Sequence, residues 1–399
     1  MSTMISRFYI SALLMLLAAL LALASLGQIE MAALPLPILW ISMGGVAVLI
    51  GLSLLFRPMK GLLVIASAAL ALFAVCELIY AIIGNVGLSE IESGGDFHWV
   101  PHEDYGYVAP PGTFTESKTY QGKPIYNVSY SMNEYGHRLT RSTQSDLHDE
   151  CILVFGDGYT FGWGLQDAET TPWQLAKKLG TDYKVINMAF LTHGPHQMLA
   201  QLESAEIAEC GDDQVTHVVY LATPDQARRA AGLRVIDHMK GPRYLISGND
   251  GVVRTGRIGS LASRKDRINS ILYKSMFYRG INGGNSFYLR GLTNEDVRLY
   301  TAILGQAKQV AAERFPGSAF LTVTWSGGDK DDKEIVSFME QSLTDSFGAR
   351  RTRDLIADLQ ENYTRYTFGE YSIHPNALAN GIIAGYLAAQ IDPSTPTDD

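Results

Sequence analysis

The residues that could do chemistry stand in two places. Near the C-terminus His374 precedes Pro375-Asn376 and the apolar run 377–391, and far upstream Asp157 and Thr160 occupy a glycine turn, Gly156-Asp157-Gly158, that closes the apolar run 152–155. A histidine can take and return a proton near neutral pH, and a carboxylate can orient it. Amides at the start of a helix can hold an anion or a polar ligand. A structural role is equally open to each: Asp and Thr after a strand commonly hold a turn by hydrogen bonds to the backbone, and His374 can be a satisfied pocket residue. His193 and His196 add imidazoles, but no carboxylate or cysteine spacing joins them to His374 as a metal site, so no metal and no cofactor are expected.

The turn and the late histidine carry a resemblance. The stretch Cys151-Ile-Leu-Val-Phe-Gly156-Asp157-Gly158-Tyr-Thr160-Phe-Gly162 resembles block I of the SGNH/GDSL hydrolases, and His374-Pro375-Asn376-Ala377, followed by Gly381, resembles the element that bears their catalytic histidine. Tyr130 to Arg138, with Asn133-x-x-Gly136-x-Arg138, resembles the entry to the domain in envelope members. What the resemblance implies is a flavodoxin-like three-layer α/β domain with a mostly parallel sheet, and acyl-transfer chemistry. That chemistry needs a nucleophile, a histidine base, a carboxylate to orient it, and oxyanion donors.

Most of these are missing. Gly158 stands where the family has its serine, and Ser372 and Tyr371 stand where it has the orienting acid, with Glu370 one residue further off. Thr192 falls at the oxyanion glycine, with Gly194 as the alternative match. Pro224 replaces the asparagine donor and offers neither a side-chain amide nor a backbone N–H. Removal of one such group costs ~10² to 10⁶ in rate, so four losses point to a domain that has lost ester hydrolysis. The expected cleft comprises Asp157, Gly158, Tyr159, Thr160, Trp163, His193, Asp225 and His374. Its expected ligand, by family analogy, is an envelope polysaccharide or acyl group. The rival readings are an esterase or O-acetyltransferase with an unusual nucleophile and a structural subunit of a membrane complex.

The elements that must position these residues follow from patterning. Strands are expected at 152–155, 184–188, 216–221 and 319–324. Helices are expected at 167–180, 195–210, 264–278, 294–315, 333–347 and 377–391, an alternation that implies a parallel sheet with helices on both faces. Residues 243–247 and 252–255 flank Gly248-Asn249-Asp250-Gly251, a hairpin signal, within an insertion spanning about 232–290. Residues 85–150 read as a linker, at 85–95, and a β-rich lead-in. The main domain is then 151–392. Cys151 and Cys210 fall at one edge of the sheet, where they either pair, closing a loop of ~60 residues, or stay as buried thiols.

Residues 1–84 form a different region. They contain only Arg7, Glu30, Arg57, Lys60 and Glu77 as charges, and the runs 8–27, 36–56 and 61–84 each approach the ~20 residues that cross a bilayer. The positions of Arg7, Arg57 and Lys60 put the N-terminus in the cytoplasm and everything after the third run in the periplasm of a bacterium. Glu77 lies inside the third run, at a cost of roughly 2–3 kcal/mol unless neutral, paired or near the interface; a partner's helix or a lipid group is one candidate contact. Beyond residue 84 the totals of 32 basic and 41 acidic residues fall to 29 and 39, a net of −10, which disfavours nucleic-acid binding.

Overall fold

The computed structural model describes residues 57–88, 91–140, 150–204, 207–211, 214–233, 241–248, 251–258, 275, 277–278, 291–327, 333–369 and 372–395, with 42, 45–46, 48–49 and 52–53 ahead of them. The chain divides into two compact units, Met1–Ser89 with Arg264–Ser286, and Glu90–Ser263 with Phe287–Asp399.

In the first unit the helix α1, Lys60–Leu88, includes a 20-residue stretch, Lys60–Ile79, long and apolar enough to cross a membrane. Among the described residues it alone meets that test. The expected span 8–27 lies outside the described residues, and 36–56 is represented by Ser42, Gly45, Val46, Val48, Leu49, Leu52 and Ser53, all helical. Gly45 approaches α1 so closely that a Cβ there would lie 2.7 Å from Leu70 Cδ2, the kind of contact small residues permit between apolar helices.

The second unit is built on five parallel strands: β6 (Glu150–Phe155), β7 (Tyr183–Asn187), β8 (Gln214–Ala222), β11 (Ala319–Thr324) and β12 (Arg350–Arg351), in the order β12-β11-β8-β6-β7. Numbered within the sheet this is 2-1-3-4-5, the flavodoxin-like order, whose direction reverses between β6 and β8. Side chains alternate between two cores. Cys151, Leu153 and Phe155 with Val218 and Tyr220 face α3 (Pro195–Glu203), α4 (Pro224–Ala230), α5 (Asn294–Arg314) and α6 (Lys333–Phe347). Ile152 and Val154 with Val219 and Leu221 face α2 (Thr171–Leu179) and α7 (Ala377–Ile391). The result is three layers, as the alternating pattern requires.

Two expectations change, and a third lies mostly outside the described residues. Residues 85–95 are not a linker: α1 continues to Leu88, and β1 (Ile91–Gly95) pairs antiparallel with β4 (Gly112–Tyr120), which pairs with β5 (Lys123–Met132). Polar, glycine-rich composition suits a sheet edge as well as a linker. Residues 195–210 divide into α3 and a 3₁₀ turn, Ala208–Cys210. Of the helix expected at 264–278, Ser275, Phe277 and Tyr278 are described, the last two helical. The hairpin is present as β9 (Pro242–Ser247) and β10 (Gly251–Arg257), and a shorter one, β2 (Val100–His102) with β3 (Gly106–Val108), belongs to the lead-in. Cys151 and Cys210 form a disulfide, Cα to Cα 5.8 Å.

Arg138 joins the lead-in to the sheet domain. Asn133 Oδ1 accepts the amides of Tyr135 and His137, and Gly136 takes φ +79° where a Cβ would strike the Ala109 carbonyl at 2.1 Å. The turn so formed delivers Arg138 into the interior, 1 % exposed. Its guanidinium donates to Asp167 at 2.8 Å and to the carbonyls of Phe161, Gly162 and Leu165 at 2.8, 2.7 and 2.6 Å, and it lies over the Tyr130 ring. A buried cation is tolerated only when so completely paired.

Candidate functional site

The site lies past the C-terminal ends of β6 and β8, at the reversal of strand order where open sheets bind ligands. β6 ends in Gly156, which must be glycine because Thr160 Oγ1 lies 2.0 Å from where a Cβ would be. Asp157 then caps the helical turn Gly158–Phe161, accepting the Tyr159 amide at 3.0 Å. Its other oxygen accepts Thr223 Oγ1 at 2.8 Å and Arg229 at 2.9 Å. The buried carboxylate therefore ties the end of β6 to the start of α4.

His374 faces this turn. A Cβ built on Gly158 would lie 3.4 Å from His374 Nε2, so the backbone holds the spacing that a nucleophile and its base require. On the other side the same Cβ would come within 2.6 Å of Leu191 Cδ1, the end of a flexible side chain that would have to shift. On the far nitrogen, Ser372 Oγ lies 3.0 Å from Nδ1, so a hydroxyl stands where the orienting carboxylate is expected. Glu370 and Tyr371 lie outside the described residues. The Tyr159 ring packs on the imidazole, centroids 4.9 Å apart. Burial lowers the His374 pKa to about 4, opposed by Asp157 and assisted by the cations Arg229 and Lys118, so the ring is neutral at pH 7.

The oxyanion positions are committed to structure. Thr192 takes φ +61°, and its hydroxyl bonds Tyr107 OH. The Gly194 amide donates to Gln197 Oε1 at 2.8 Å as the start of α3. Pro224 opens α4 behind the cap residue Thr223. Beneath it Gln226 joins Tyr220, Tyr300 and the Leu221 carbonyl in a closed polar network. A cavity of about 20 Å³ lies beside Tyr159, Thr223, Trp325 and Pro375.

Of the residues expected in the cleft, the structure brings Asp157, Gly158, Tyr159 and His374 together. Asp225 sits at the rim, paired with Arg228 and Arg229. The others are placed elsewhere. Thr160 is buried beneath Gly156, and its hydroxyl has no hydrogen-bond partner among the described residues, so it packs there rather than ties the turn. Trp163 turns into the lead-in, donating to Tyr126 OH at 2.8 Å. The His193 ring is buried between Tyr107 and Phe190, its Nε2 3.2 Å from the Tyr107 carbonyl; only its own carbonyl reaches the site, accepting Arg229. Aromatic and histidine composition gave no direction for these side chains.

Its structural neighbours are SGNH/GDSL lipolytic proteins and carbohydrate esterases. A lipolytic G-D-S-L family member from Veillonella parvula is 10 % identical with a TM-score of 0.35, covering 61 % of this chain and 99 % of its own. Est24, a carbohydrate acetylesterase from Sinorhizobium meliloti, is 13 % identical with a TM-score of 0.35 and the same coverage. The acetyl xylan esterase Est2A from Butyrivibrio proteoclasticus is 10 % identical with a TM-score of 0.32, covering 63 % and 65 %. No family model and no curated protein matches the sequence.

Sequence reasoning missed Leu191, Arg229 and Thr223. Arg229 follows Asp225 by four residues on α4, a spacing that places both on one helix face and marks it as a candidate ion-pair partner. Leu191 carries no such signal, because what matters about it is its proximity to Gly158.

Proposed function

We propose that this chain is a membrane-anchored envelope protein whose α/β domain binds a ligand beside His374 without hydrolysing it. The observation that carries this reading is what meets the His374 ring: Gly158 presents no side chain to Nε2, and a hydroxyl, Ser372, rather than a carboxylate lies on Nδ1. The Leu191 methyl adds an apolar group on the other side of the Gly158 position. Ser372 is a neutral partner for Nδ1, so an imidazolium formed during proton abstraction would lack the stabilisation a carboxylate supplies. Pro224 and Gly194 have no amide to offer a developing oxyanion. The ligand proposed by motif resemblance is an acyl or glycan group of the envelope.

A second reading, a carbohydrate esterase or acetyltransferase with an unusual nucleophile, is favoured by the hydroxyl on Nδ1 and the neutral ring, which together leave Nε2 able to accept a proton. The full chain in mild detergent with p-nitrophenyl acetate separates the two. The binding reading expects release of p-nitrophenol at the buffer rate in both the parent and His374→Ala. Turnover abolished by that substitution would establish the second reading.

A further inference from the structure

The lead-in sheet supplies one wall of the His374 site. On β4 Lys118 stands opposite Tyr126 of β5, and opposite residues of an antiparallel pair project from one face. The Tyr126 ring packs on Phe368, centroids 5.8 Å apart, and the Phe368 amide donates to the His374 carbonyl at 3.3 Å. Gly164 leaves room for that contact, since a Cβ there would lie 2.9 Å from Tyr126 and 3.1 Å from Phe368. The face that carries Lys118 is thus the face turned to the segment that bears the imidazole. Directly beyond this pair the register slips: Thr119 faces Pro124, and Ile125 is left over. A bulge of this kind bends the strand and re-aims the side chains beside it, and bulges are common next to active sites.

Lys118 is half-buried. Its neighbours on that face are Tyr126, Ser93 of β1, Glu116 and Tyr120. Glu116 is the one acid among them, and its oxygens accept Tyr130 OH at 2.6 Å and Tyr126 OH at 3.1 Å. Among the described residues no carboxylate lies within ion-pair distance of Lys118. The other cation at the site, Arg229, is bound to Asp157 and Asp225. The His374 ring is kept neutral first by burial, with Lys118 among the cations that add to it. A half-buried ammonium beside a neutral ring, with the nearby acids engaged elsewhere, is complemented by a negative group that a ligand brings.

We propose that Lys118 is the specificity-determining residue of this site and selects a ligand with an anionic group, a carboxylate or phosphate carried on a sugar. This rests on the reading of His374 as a binding site and adds the sign of the charge its ligand bears. Phe368 and Tyr159 flank the imidazole segment with aromatic surface for the sugar body, and Lys118 offers its substituent a point charge.

The test is calorimetric titration of the full chain in neutral detergent with two pairs of probes that differ in charge: trigalacturonate against its methyl ester, and mannose phosphate against mannose. In at least one pair the acid is expected to bind about fivefold or more tightly than its neutral partner, with the ratio shrinking as salt is raised. The pair that shows the preference tells carboxylate from phosphate. Lys118→Gln should bring the ratio to one without changing the neutral probe's affinity, and Lys118→Arg should keep it. Lys123→Gln, which removes an exposed cation of the same hairpin, should leave it as in the parent. Equal affinities within both pairs, or a preference that survives Lys118→Gln, would overturn the charge selection while leaving the site standing. Probes that bind the parent no better than His374→Ala would overturn the site itself, and the proposal with it.

Discussion

Two joints of the domain, both made against the stretch Gly158–Gly162, have opposite character. At Arg138 every polar atom of a buried cation is answered by Asp167 or by one of three carbonyls. At His374 the backbone keeps the ring 3.4 Å from a Cβ position on Gly158, while a hydroxyl meets Nδ1 and the Leu191 methyl lies close on the other side. The first joint holds the frame; the second is the site proposed above to bind without hydrolysis. The contrast teaches that the frame and the site are secured by different residues, so the groups around His374 can vary without loosening the joint at Arg138.

The comparison breaks first at Arg138. Arg138→Met would leave Asp167 and three carbonyls without their donor, and is expected to cost on the order of 5 kcal/mol, lowering Tm by roughly 10–20 °C. A loss under about 1 kcal/mol in thermal or urea unfolding would show that the frame does not depend on this joint. Next is the Cys151–Cys210 disulfide, spanning 59 positions between the start of β6 and the turn after α3. Replacing both by alanine is expected to cost about 4 kcal/mol, mostly by freeing the unfolded chain. Reduction with dithiothreitol should reproduce that loss in the parent and leave the variant unchanged.

Acid should sharpen the contrast at the second joint. Burial lowers His374 to about 4 and His196 to about 3, from 6.5 in the unfolded chain. Between those values the unfolded state binds more protons, so the stability present above pH 6.5 is lost as pH falls, at about 1.4 kcal/mol per unit for each ring. Subtracting the profile of His374→Gln from that of the parent isolates one ring. The difference should be flat above pH 6.5, slope down to about pH 4 and level off; a difference flat across that range would place His374 in water.

What was legible in the sequence follows from what each signal depends on. The sheet was readable because strands buried on both faces are continuous apolar runs, as Ile152 to Phe155 and Val218 to Leu221 are; Ala319 to Thr324 departs from that form, with Thr322 and Thr324 in the run and its first half less buried. The glycine turn and His374 were readable because a backbone that leaves no room for a side chain fixes residue type, as at Gly156. Side-chain direction was not: Trp163 and His193 are adjacent in sequence to the site, yet both turn into the lead-in, where aromatic partners from β3 and β5 bury them. The stretch at residues 85–95 was misread because Ser, Gly and Glu serve equally at a sheet edge and in a linker. Leu191 and Arg229 act through space, and spacing along the chain reports such contacts only within one helix.

The most direct test of an emptied but intact site is to put the missing atoms back and ask whether an activated fluorophosphonate is captured. Gly158→Ser alone should remain unlabelled by mass spectrometry, since the acid and the donor are still absent and Leu191 would have to move aside. Combining it with Leu191→Ala, Ser372→Asp and Pro224→Asn should raise labelling by about 10² to 10⁴, with the gain lost on His374→Ala. Labelling of the single variant as fast as the combined one, or none in either, would contradict the account.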